Sequence, residues 1–488
     1  MMPMDAAKKK CRWGVDAAKK KGEKRDTEKN AQRRMPLMHF LRFTTPQLSS
    51  MKMTPYAIQL LLFSAYFCLS LSSAQTSFRP DALVVPVRKD ATTNQYVTRI
   101  NQRTPLVPEN LVVDLGGRFL WVDCDNNYVS STYQPARCRS AQCSLAGANG
   151  CGDCFSSPRP GCNNNTCGVS PDNPITRTAT GGELATDLVQ VQSTDGSNPG
   201  RPVNVSRFLF SCAPTFLLQG LASGVSGIAG LGRTRIGLPT QLAAAFSFDR
   251  KFAICLSSST TSDGVIFFGD GPYNFLPNID ASQSLTSTRL FINPVSTASV
   301  STQGEPSAEY FIGVTSIRVN NISIPLNTSL LSIDNEGNGG TKISTVNPYT
   351  VLETSIYNAL TAAYIREAAA RNITRVASVA PFDVCFSTTN VLSTRVGPTV
   401  PSIVLVLENE NVVWMITGSN SMVQVNNNVL CLGIINGGSN PRTSVVIGGY
   451  QLENNLLQFD LATSNLRFSS TLLGRQTTCA NFNFTSSA

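Results

Sequence analysis

The chain has 488 residues, of which 42% are hydrophobic and 15% are charged, and its formal net charge is +9. Residues 1–74 hold 14 of the 40 Lys+Arg and 5 of the 31 Asp+Glu, which leaves 26 of each in the remainder. A neutral remainder gives no reason to expect a nucleic-acid partner. The single histidine, His39, also lies in those first residues. The remainder therefore excludes Ser-His-Asp and Cys-His mechanisms and His-ligated zinc.

The amino-terminal segment is rich in lysine, in the stretches AKKKCRW and AKKKGEKRD. One interpretation is a nuclear or nucleic-acid-binding arm. A secretion signal follows it, however, and the two addresses send a chain to different places. We therefore expect residues 1–50 to be a non-structural leader, or to lie upstream of the true initiator, Met51 or Met53.

A mainly apolar, uncharged run, AIQLLLFSAYFCLSL, is preceded by Lys52 and followed by the small residues Ser72, Ser73 and Ala74. This pattern predicts a secretory signal peptide over residues 51–74, cleaved near Ala74. The run is too short for a good membrane span, and no later stretch is long and apolar enough. We expect an extracellular protein with no membrane attachment after cleavage.

The cysteines support export, because twelve of the fourteen remain once Cys11 and Cys68 are set aside. The Cys151-Gly-Asp-Cys154 spacing could indicate a redox or zinc motif. In a secreted chain this density favours disulfides, and we expect six bridges, no free thiol, no metal and no cofactor. The twelve are Cys124, Cys138, Cys143, Cys151, Cys154, Cys162, Cys167, Cys212, Cys255, Cys385, Cys431 and Cys479.

Six Asn-x-Ser/Thr sequons predict surface loops that are open to N-glycosylation. They begin at Asn164, Asn204, Asn321, Asn327, Asn372 and Asn483.

Short β-branched and aromatic runs, such as ALVVPVRK, TDLVQVQS and GVIFFGD, dominate the chain after the signal. Clusters of Gly, Asn, Ser and Pro separate them, which predicts an all-β architecture. Helical periodicity is clearest in residues 354–372, where Ile356, Leu360, Tyr364 and Ile365 share one face.

The chain also contains a faint internal duplication. VVDLGG is followed after 115 residues by GIAGLG, and in the second half KIST is followed after about the same interval by VIGG. This pattern predicts two similar lobes, residues 75–290 and 291–488, that meet at the paired turns. In VVDLGG a buried strand delivers Asp114 into a tight turn, which suits a catalytic acid or base if a partner exists.

These segments resemble the pepsin-like aspartic proteases over most of residues 80–480. In that family each lobe supplies an Asp in an apolar-Asp-Thr-Gly turn, backed by an apolar-apolar-Gly strand. The resemblance implies an all-β, bilobal pepsin-like fold with few short helices. In active members two adjacent carboxylates share one proton, so that one activates water and the other polarises the scissile carbonyl.

The sequence departs from that chemistry at three places. Ser344 occupies the position expected for the second Asp, and a serine cannot replace the shared proton or the base. Leu115 replaces a supporting hydroxyl residue, and the flap segment ITRTATGGELATD lacks the usual Tyr. Asp334 is the nearest alternative acid but lies in a Gly/Asn loop. The resemblance implies a protein that is not an enzyme, with Asp114 and Ser344 as remnants of the catalytic pair.

A plant subgroup is more similar still: the extracellular dermal glycoproteins, basic 7S globulins, and xylanase or xyloglucanase inhibitors. FLFSCAPTFLLQGLASGVSGIAGLGR, NPYTVLETSIYNAL and TTCANFNFTS carry this resemblance. It implies a Cys385–Cys431 bridge in the C-terminal lobe and a Cys255–Cys479 bridge from the tail to the N-terminal lobe.

The resemblance implies an apoplastic or cell-wall protein of plant defence. It would inhibit microbial xyloglucan-specific endoglucanases or xylanases by inserting loop arginines between their catalytic carboxylates. One inhibitory arginine matches Arg395. The second position matches Gln476, with Arg475 beside it, which is a departure from the family pattern. A different class of function is a seed-storage-like or peptide-binding protein, with a small peptide in the retained cleft. An active aspartic endopeptidase is the third alternative.

Overall fold

The structure, a computed structural model, describes residues 78–298, 301 and 304–485. The predicted leader (1–50) and signal peptide (51–74) lie outside the described residues. Within the described part, strands dominate and helices are few and mostly short, which confirms the predicted all-β class. β17 spans the predicted lobe boundary after residue 290, and that boundary stays a prediction.

The strands before residue 282 are β1 (Ala82–Lys89), β2 (Tyr96–Gln102), β3 (Val107–Asp114), β4 (Trp121–Asp123), β5 (Gln134–Pro135), β6 (Gly150–Gly152), β7 (Thr166–Val169), β8 (Asp172–Asn173), β9 (Thr178–Ala179), β10 (Gly182–Thr194), β11 (Pro199–Ala213), β12 (Gly227–Gly230), β13 (Lys251–Cys255), β14 (Gly264–Gly269), β15 (Asn274–Phe275) and β16 (Ile279–Asp280).

The later strands are β17 (Thr286–Phe291), β18 (Tyr310–Ile312), β19 (Ser316–Val319), β20 (Ile322–Ser323), β21 (Thr341–Ile343), β22 (Thr350–Leu352), β23 (Arg375–Val376), β24 (Cys385–Ser387), β25 (Ser393–Thr394), β26 (Gly397–Pro398), β27 (Ile403–Val406), β28 (Val413–Ile416), β29 (Met422–Asn426), β30 (Val429–Leu432), β31 (Ile434–Asn436), β32 (Val445–Ile447), β33 (Leu456–Asp460) and β34 (Asn465–Phe468).

The described α-helices are α1 (Ala141–Leu145), α2 (Leu238–Phe246), α3 (Thr354–Ala369), α4 (Gly418–Ser421) and α5 (Gly449–Leu452). Single 3₁₀ turns cover Thr215–Leu218, Ala281–Ser284, Thr328–Leu331, Leu473–Arg475 and Cys479–Asn481.

The longest helix, α3, agrees with its apolar periodicity. Ile356, Leu360 and Tyr364 are buried, whereas Ile365 is only partly buried at the edge of that face. The Glu353 carboxylate accepts hydrogen bonds from the backbone N–H groups of the first turn, which satisfies donors that no helical carbonyl can reach.

The internal duplication corresponds to two parallel strand pairs. β3 pairs in parallel with β12, and β21 pairs in parallel with β32. β3 ends in four consecutive buried residues, Leu111 to Asp114, because it lies between β2 and β12. A strand enclosed in this way reads as a continuous apolar run, and here that run ends on a carboxylate.

The last two strands, β33 and β34, pair with strands that come much earlier in the chain. β13 pairs with β33, and β17 pairs with β34, in both cases antiparallel. Phe252 of β13 stacks on Phe459 of β33 with ring centroids 4.7 Å apart. A buried ion pair also joins β1 to the residue after α5, with 2.7 Å between Lys89 Nζ and Glu453 Oε1.

All twelve cysteines of the described part form disulfides. Cys255–Cys479 ties the C-terminal tail to β13, and Cys385–Cys431 links the paired strands β24 and β30, in agreement with the two pairings that the resemblance implies. The other bridges are Cys124–Cys212, Cys138–Cys151, Cys143–Cys167 and Cys154–Cys162. The Cys151-Gly-Asp-Cys154 motif is therefore divided between two bridges.

Candidate functional site

The first turn holds Asp114 at the end of β3. Its carboxylate accepts a 2.8 Å hydrogen bond from the Gly116 N–H. A Cβ on Gly117 would lie 2.8 Å from the Gly230 Cα, so that only glycine allows the turn and β12 to approach this closely. The Asp-x-Gly-Gly pattern thus reflects backbone packing as well as side-chain chemistry.

The second turn places Ser344 at the corresponding point after β21. The Ser344 N–H donates to the Ile447 carbonyl of β32 at 2.9 Å. Its hydroxyl donates to Asn347 Oδ1, also at 2.9 Å. An amide oxygen is not a base that could activate a serine, so this contact holds the turn and does not prepare a nucleophile.

The two turns are joined by Thr345. Its hydroxyl donates to the Val113 carbonyl at 2.7 Å and accepts from the Leu115 N–H at 3.1 Å. Leu115, at the corresponding position of the first turn, is fully buried, and its side chain has no hydroxyl that could form the equivalent hydrogen bonds to the second turn. Of this pair of positions, only Thr345 therefore links the turns through its side chain.

A cleft of about 590 Å³ opens above these turns. Acidic and basic side chains line it together: Asp114, Asp172, Glu309, Arg118, Arg177, Lys342 and Arg442.

Glu309 and Lys342 occupy the floor of this cleft, with Glu309 Oε1 2.6 Å from Lys342 Nζ. A Cβ placed on Gly116 would lie 2.8 Å from Glu309 Cγ and 3.5 Å from Asp114 Oδ1. Glu309 therefore lies directly over the first turn, next to the carboxylate of Asp114. The Thr297 hydroxyl also donates to Glu309 and helps to fix it there.

Burial raises the pKa of Asp114 from 3.8 to about 7, because an ionised carboxylate loses hydration in this site. The Gly116 N–H opposes the rise, Asp172 and Glu309 add to it through like charge, and Lys342 opposes it. Burial also raises the pKa of Asp172, although the positive charge of the neighbouring Arg118 partly opposes the rise. Asp114 is thus a largely protonated group under mildly acidic conditions.

The flap corresponds to the β8–β9 hairpin, whose tip is residues 174–177. Trp121 Nε1 anchors it through a 3.0 Å hydrogen bond to the Asp172 carbonyl. The tip presents Arg177, in a left-handed conformation with φ 56°, and no tyrosine.

Asp334, the alternative acid, has an exposed side chain. Its carboxylate accepts hydrogen bonds from the backbone N–H groups of Glu336 and Asn338 in its own loop.

Arg395 lies at the tip of the β25–β26 hairpin and is exposed. No hydrogen bond or ion pair from the described residues holds its guanidinium. The turn itself is fixed, because the Thr394 hydroxyl donates to the Gly397 carbonyl at 2.6 Å and Gly397 has φ 95°. Leu392, at the base of the hairpin, is 71% exposed. The hairpin offers a cation and an apolar side chain on a rigid support.

Arg475 and Gln476 are exposed at the end of the Leu473–Arg475 turn. Gln476 has a left-handed backbone (φ 63°), and the buried Thr477 fixes the segment by donating to the Leu276 carbonyl at 2.7 Å. The two side chains therefore start from adjacent positions of one ordered turn.

One short segment holds both loops. The Ser419 N–H donates to the Val396 carbonyl of the Arg395 hairpin at 3.0 Å. At the other end, the Met415 N–H donates to Ser470 Oγ, at the start of the Arg475 segment, at 3.2 Å. Four residues span at most about 14 Å, so these two attachment points are close together. Arg395 is thus one residue, and Arg475 five residues, from a point of attachment to this segment.

Glu309 and Lys342 are not among the site residues predicted from the sequence. Lys342 was detectable, because alternation along β21 places it on the same face as Ser344 two residues later. Glu309 carried no such signal, since its position depends on packing against a turn far away in the chain.

Five sequon asparagines are exposed, and Asn483 is half-buried.

Within the described residues, no group of three or more His, Cys, Asp or Glu side chains is placed to hold a metal ion. Nor does any helix of the described chain combine the length and apolar character needed to cross a bilayer.

Two family models match the chain. The model described as xylanase inhibitor N-terminal covers residues 96–270, and the model described as xylanase inhibitor C-terminal covers residues 309–470. The probable aspartic proteinase GIP2 of Nicotiana benthamiana is 68% identical over 432 residues, covering 88% of this chain and 98% of that protein. The basic 7S globulin of Glycine max is 42% identical over 434 residues, covering 87% and 97%.

The chain belongs to the plant xylanase-inhibitor and basic 7S globulin family. The crystal structure of edgp matches with a TM-score of 0.83 at 72% identity, over 84% of this chain and 100% of that one. An aspartic proteinase from Irpex lacteus matches with a TM-score of 0.52 at 16% identity, over 81% and 99%. That second likeness shows the fold alone, and it confirms the pepsin-like, bilobal architecture of this family member.

Proposed function

We propose that this family member is a secreted, catalytically inactive protein that inhibits microbial cell-wall glycoside hydrolases in plant defence. Its targets are xyloglucan-specific endoglucanases or xylanases. The observation that carries the proposal is the pairing of Asp114 with Ser344 at the two joined turns, which provides one carboxylate where peptide hydrolysis needs two. The descriptions of the two matching family models give the class of target.

The floor of the cleft supports the loss of peptidase chemistry. A nucleophilic water would need to lie between two carboxylates, and the Glu309–Lys342 ion pair lies beside the one carboxylate present, against Gly116 of the Asp114 turn. The ion pair with Lys342 and the hydrogen bond from Thr297 hold the Glu309 carboxylate in place, so it is not free to replace the missing base. Asp114 remains as a group that orders its own turn through Gly116.

The loops support inhibition. A glycoside hydrolase cleft presents two carboxylates to its substrate. An arginine that enters such a cleft can form charge-assisted, bidentate hydrogen bonds with them and exclude the glycan. Arg395 has the required freedom, since its guanidinium makes no hydrogen bond within the described chain, while its backbone hairpin is ordered. Arg475 and Gln476 lie on the second loop held by the Met415–Ser419 segment and would form the edge of the same interface.

Secretion into the apoplast or cell wall is part of the proposal. Six disulfides are typical of an oxidising compartment. The predicted signal peptide would direct the chain into the secretory pathway, and the six sequons would be available for N-glycosylation there.

A second candidate function is a storage-like or peptide-binding protein, because the cleft retains about 590 Å³ and charges of both signs. A small peptide could bind there without being cut. The Glu309–Lys342 pair weighs against deep binding of an extended chain, since it fills the floor.

The test is a titration of the purified protein against a panel of fungal xyloglucanases and xylanases, with residual glycanase activity as the readout. Inhibition of at least one enzyme at a near-stoichiometric ratio is expected. An absence of inhibition throughout the panel at micromolar protein would reject the proposal. Acid-pH peptide hydrolysis that disappears in Asp114→Asn would instead restore the protease alternative.

A further inference from the structure

The disulfide-closed loop Cys154–Cys162 presents an unusual aromatic side chain. Phe155 is 104% exposed, the highest exposure among the large hydrophobic residues of the described chain. The loop has the sequence CFSSPRPGC, in which two prolines and a disulfide restrict the backbone. Full exposure of a phenylalanine on a restrained loop leaves a large apolar side chain in water, and covering it with another apolar group would be favourable.

The segment that leads into β7 carries a glycosylation sequon, Asn164-Asn165-Thr166. The Cys154 N–H donates to Asn164 Oδ1 at 2.9 Å, and the Asn165 N–H donates to Asp153 Oδ1 at 2.7 Å. These two bonds fix the sequon against the residues that immediately precede Phe155. Because the amide oxygen of Asn164 is held, the direction of its Nδ2, the atom that would carry a glycan, is also fixed.

We propose that Asn164 is N-glycosylated and that the first N-acetylglucosamine of its glycan packs on the ring of Phe155. The Asn164 side chain is held by the Cys154 N–H, and Phe155 is the next residue along the chain. Adjacent Cα atoms are about 3.8 Å apart, so the backbone of Phe155 lies close to the Asn164 side chain. A pyranose ring presents a face of C–H groups that stacks on an aromatic ring, as other apolar groups do. The group that covers the Phe155 ring is thus a sugar attached covalently to the same chain.

The modification follows ordinary oligosaccharide transfer from a lipid-linked diphosphate donor. The bond between sugar C1 and the diphosphate breaks, the bond between C1 and Asn164 Nδ2 forms, and the amide proton is lost to the medium. Asn164 is exposed, and its sequon begins two residues after Cys162 closes the loop. The inference requires the proposed secretion but is independent of any inhibitory activity.

A double-mutant cycle in a plant or insect secretory host tests the packing. The variants are Asn164→Gln, Phe155→Ala and the double variant, with peptide mass spectrometry for site occupancy and calorimetry for Tm. We expect Asn164 to be occupied, and its removal to lower Tm by about 1–2 °C when Phe155 is present. The same removal should change Tm little in the Phe155→Ala background. Asn204→Gln is the matched control, because removal of that exposed strand sequon should have the same effect with and without Phe155.

Two results would overturn the inference: an unoccupied Asn164 in a chain that carries glycans elsewhere, or equal effects of Asn164→Gln in both backgrounds. Retention of Phe155 exposure in the glycosylated protein, seen as unchanged chymotryptic cleavage after Phe155, would contradict it as well. A chain without glycans at every sequon would also overturn it, and in that case the proposed secretion fails too. Loss of hydrolase inhibition would bear only on the proposed function.

Discussion

The Thr345 hydroxyl donates a 2.7 Å hydrogen bond to the Val113 carbonyl, across 232 residues of sequence. The same oxygen accepts the Leu115 N–H, so a single buried side chain joins the turns that carry Asp114 and Ser344. The hydrogen bonds of Thr345 therefore link two turns that are far apart in the sequence.

Thr345→Val should destabilise the protein by about 2–4 kcal/mol, because a buried carbonyl and a buried N–H would both lose their partner. Urea denaturation followed by circular dichroism measures the change. Thr345→Ser, which keeps the hydroxyl, should lose less than half as much. Equal losses in the two variants would show that the methyl group, and not the hydrogen bonds, matters at this position.

The stability of the protein should depend on pH through Asp114. Its pKa is about 7 in the folded protein and 3.8 ordinarily, so between these values the folded state holds a proton that the unfolded state has released. Stability therefore falls as pH rises from about 4 to 7, by up to about 4 kcal/mol at 1.36 kcal/mol per pKa unit. Asp114→Asn, which keeps an acceptor for Gly116, should remove this slope.

Denaturation at pH 4, 5.5 and 7 compares wild type, Asp114→Asn and Ser344→Ala. Ser344→Ala changes the same cleft without a titrating group and should follow the wild-type slope. Parallel curves for wild type and Asp114→Asn would contradict the raised pKa.

Lys89→Met should cost about 3–5 kcal/mol, because it leaves the Glu453 carboxylate buried without its cation. Glu453 is 2% exposed, and the Tyr96 hydroxyl bonds to the same oxygen at 2.8 Å, but a hydroxyl carries no charge. The double variant Lys89→Met/Glu453→Gln should recover more than half of the loss in thermal unfolding. If the single variant were as stable as wild type, the ion pair would not contribute to the packing of β1 against α5.

Gln476→Arg should tighten hydrolase inhibition about tenfold or more, since it adds a cation that can pair with a carboxylate of the target. The left-handed backbone of residue 476 accepts arginine and glutamine about equally, so stability should not change. Gln476→Met is the control for size without charge. Equal inhibition constants for wild type and both variants would place residue 476 outside the interface.

Local patterns predicted much of the region around the two turns. Apolar runs before Asp114 and Ser344, and the apolar-Gly strands 115 and 104 residues later, were sufficient to predict two lobes that meet at paired turns. The parallel direction of the strand pairs comes from the structure. The two disulfides implied by the resemblance form as expected.

Long-range packing could not be predicted in the same way. Glu309 precedes β18 and reaches the first turn only because the two halves of the chain pack together, and no periodicity marks it. The Lys89–Glu453 pair likewise joins residues 364 positions apart. The Met415–Ser419 segment has no motif, and its importance comes from two hydrogen bonds that its backbone N–H groups donate, one to a carbonyl and one to a serine hydroxyl.

The most direct test of the central claim compares inhibition constants of wild type, Arg395→Ala and Asp114→Asn against one sensitive fungal xyloglucanase or xylanase. The exposed Arg207→Ala of β11 serves as the arginine control. If the Arg395 hairpin blocks the hydrolase cleft, Arg395→Ala should weaken inhibition by about 30-fold or more, as expected for loss of a buried charge pair. Asp114→Asn and Arg207→Ala should leave inhibition unchanged. Full inhibition by Arg395→Ala, together with loss of inhibition in Asp114→Asn, would contradict the account and place the function in the cleft.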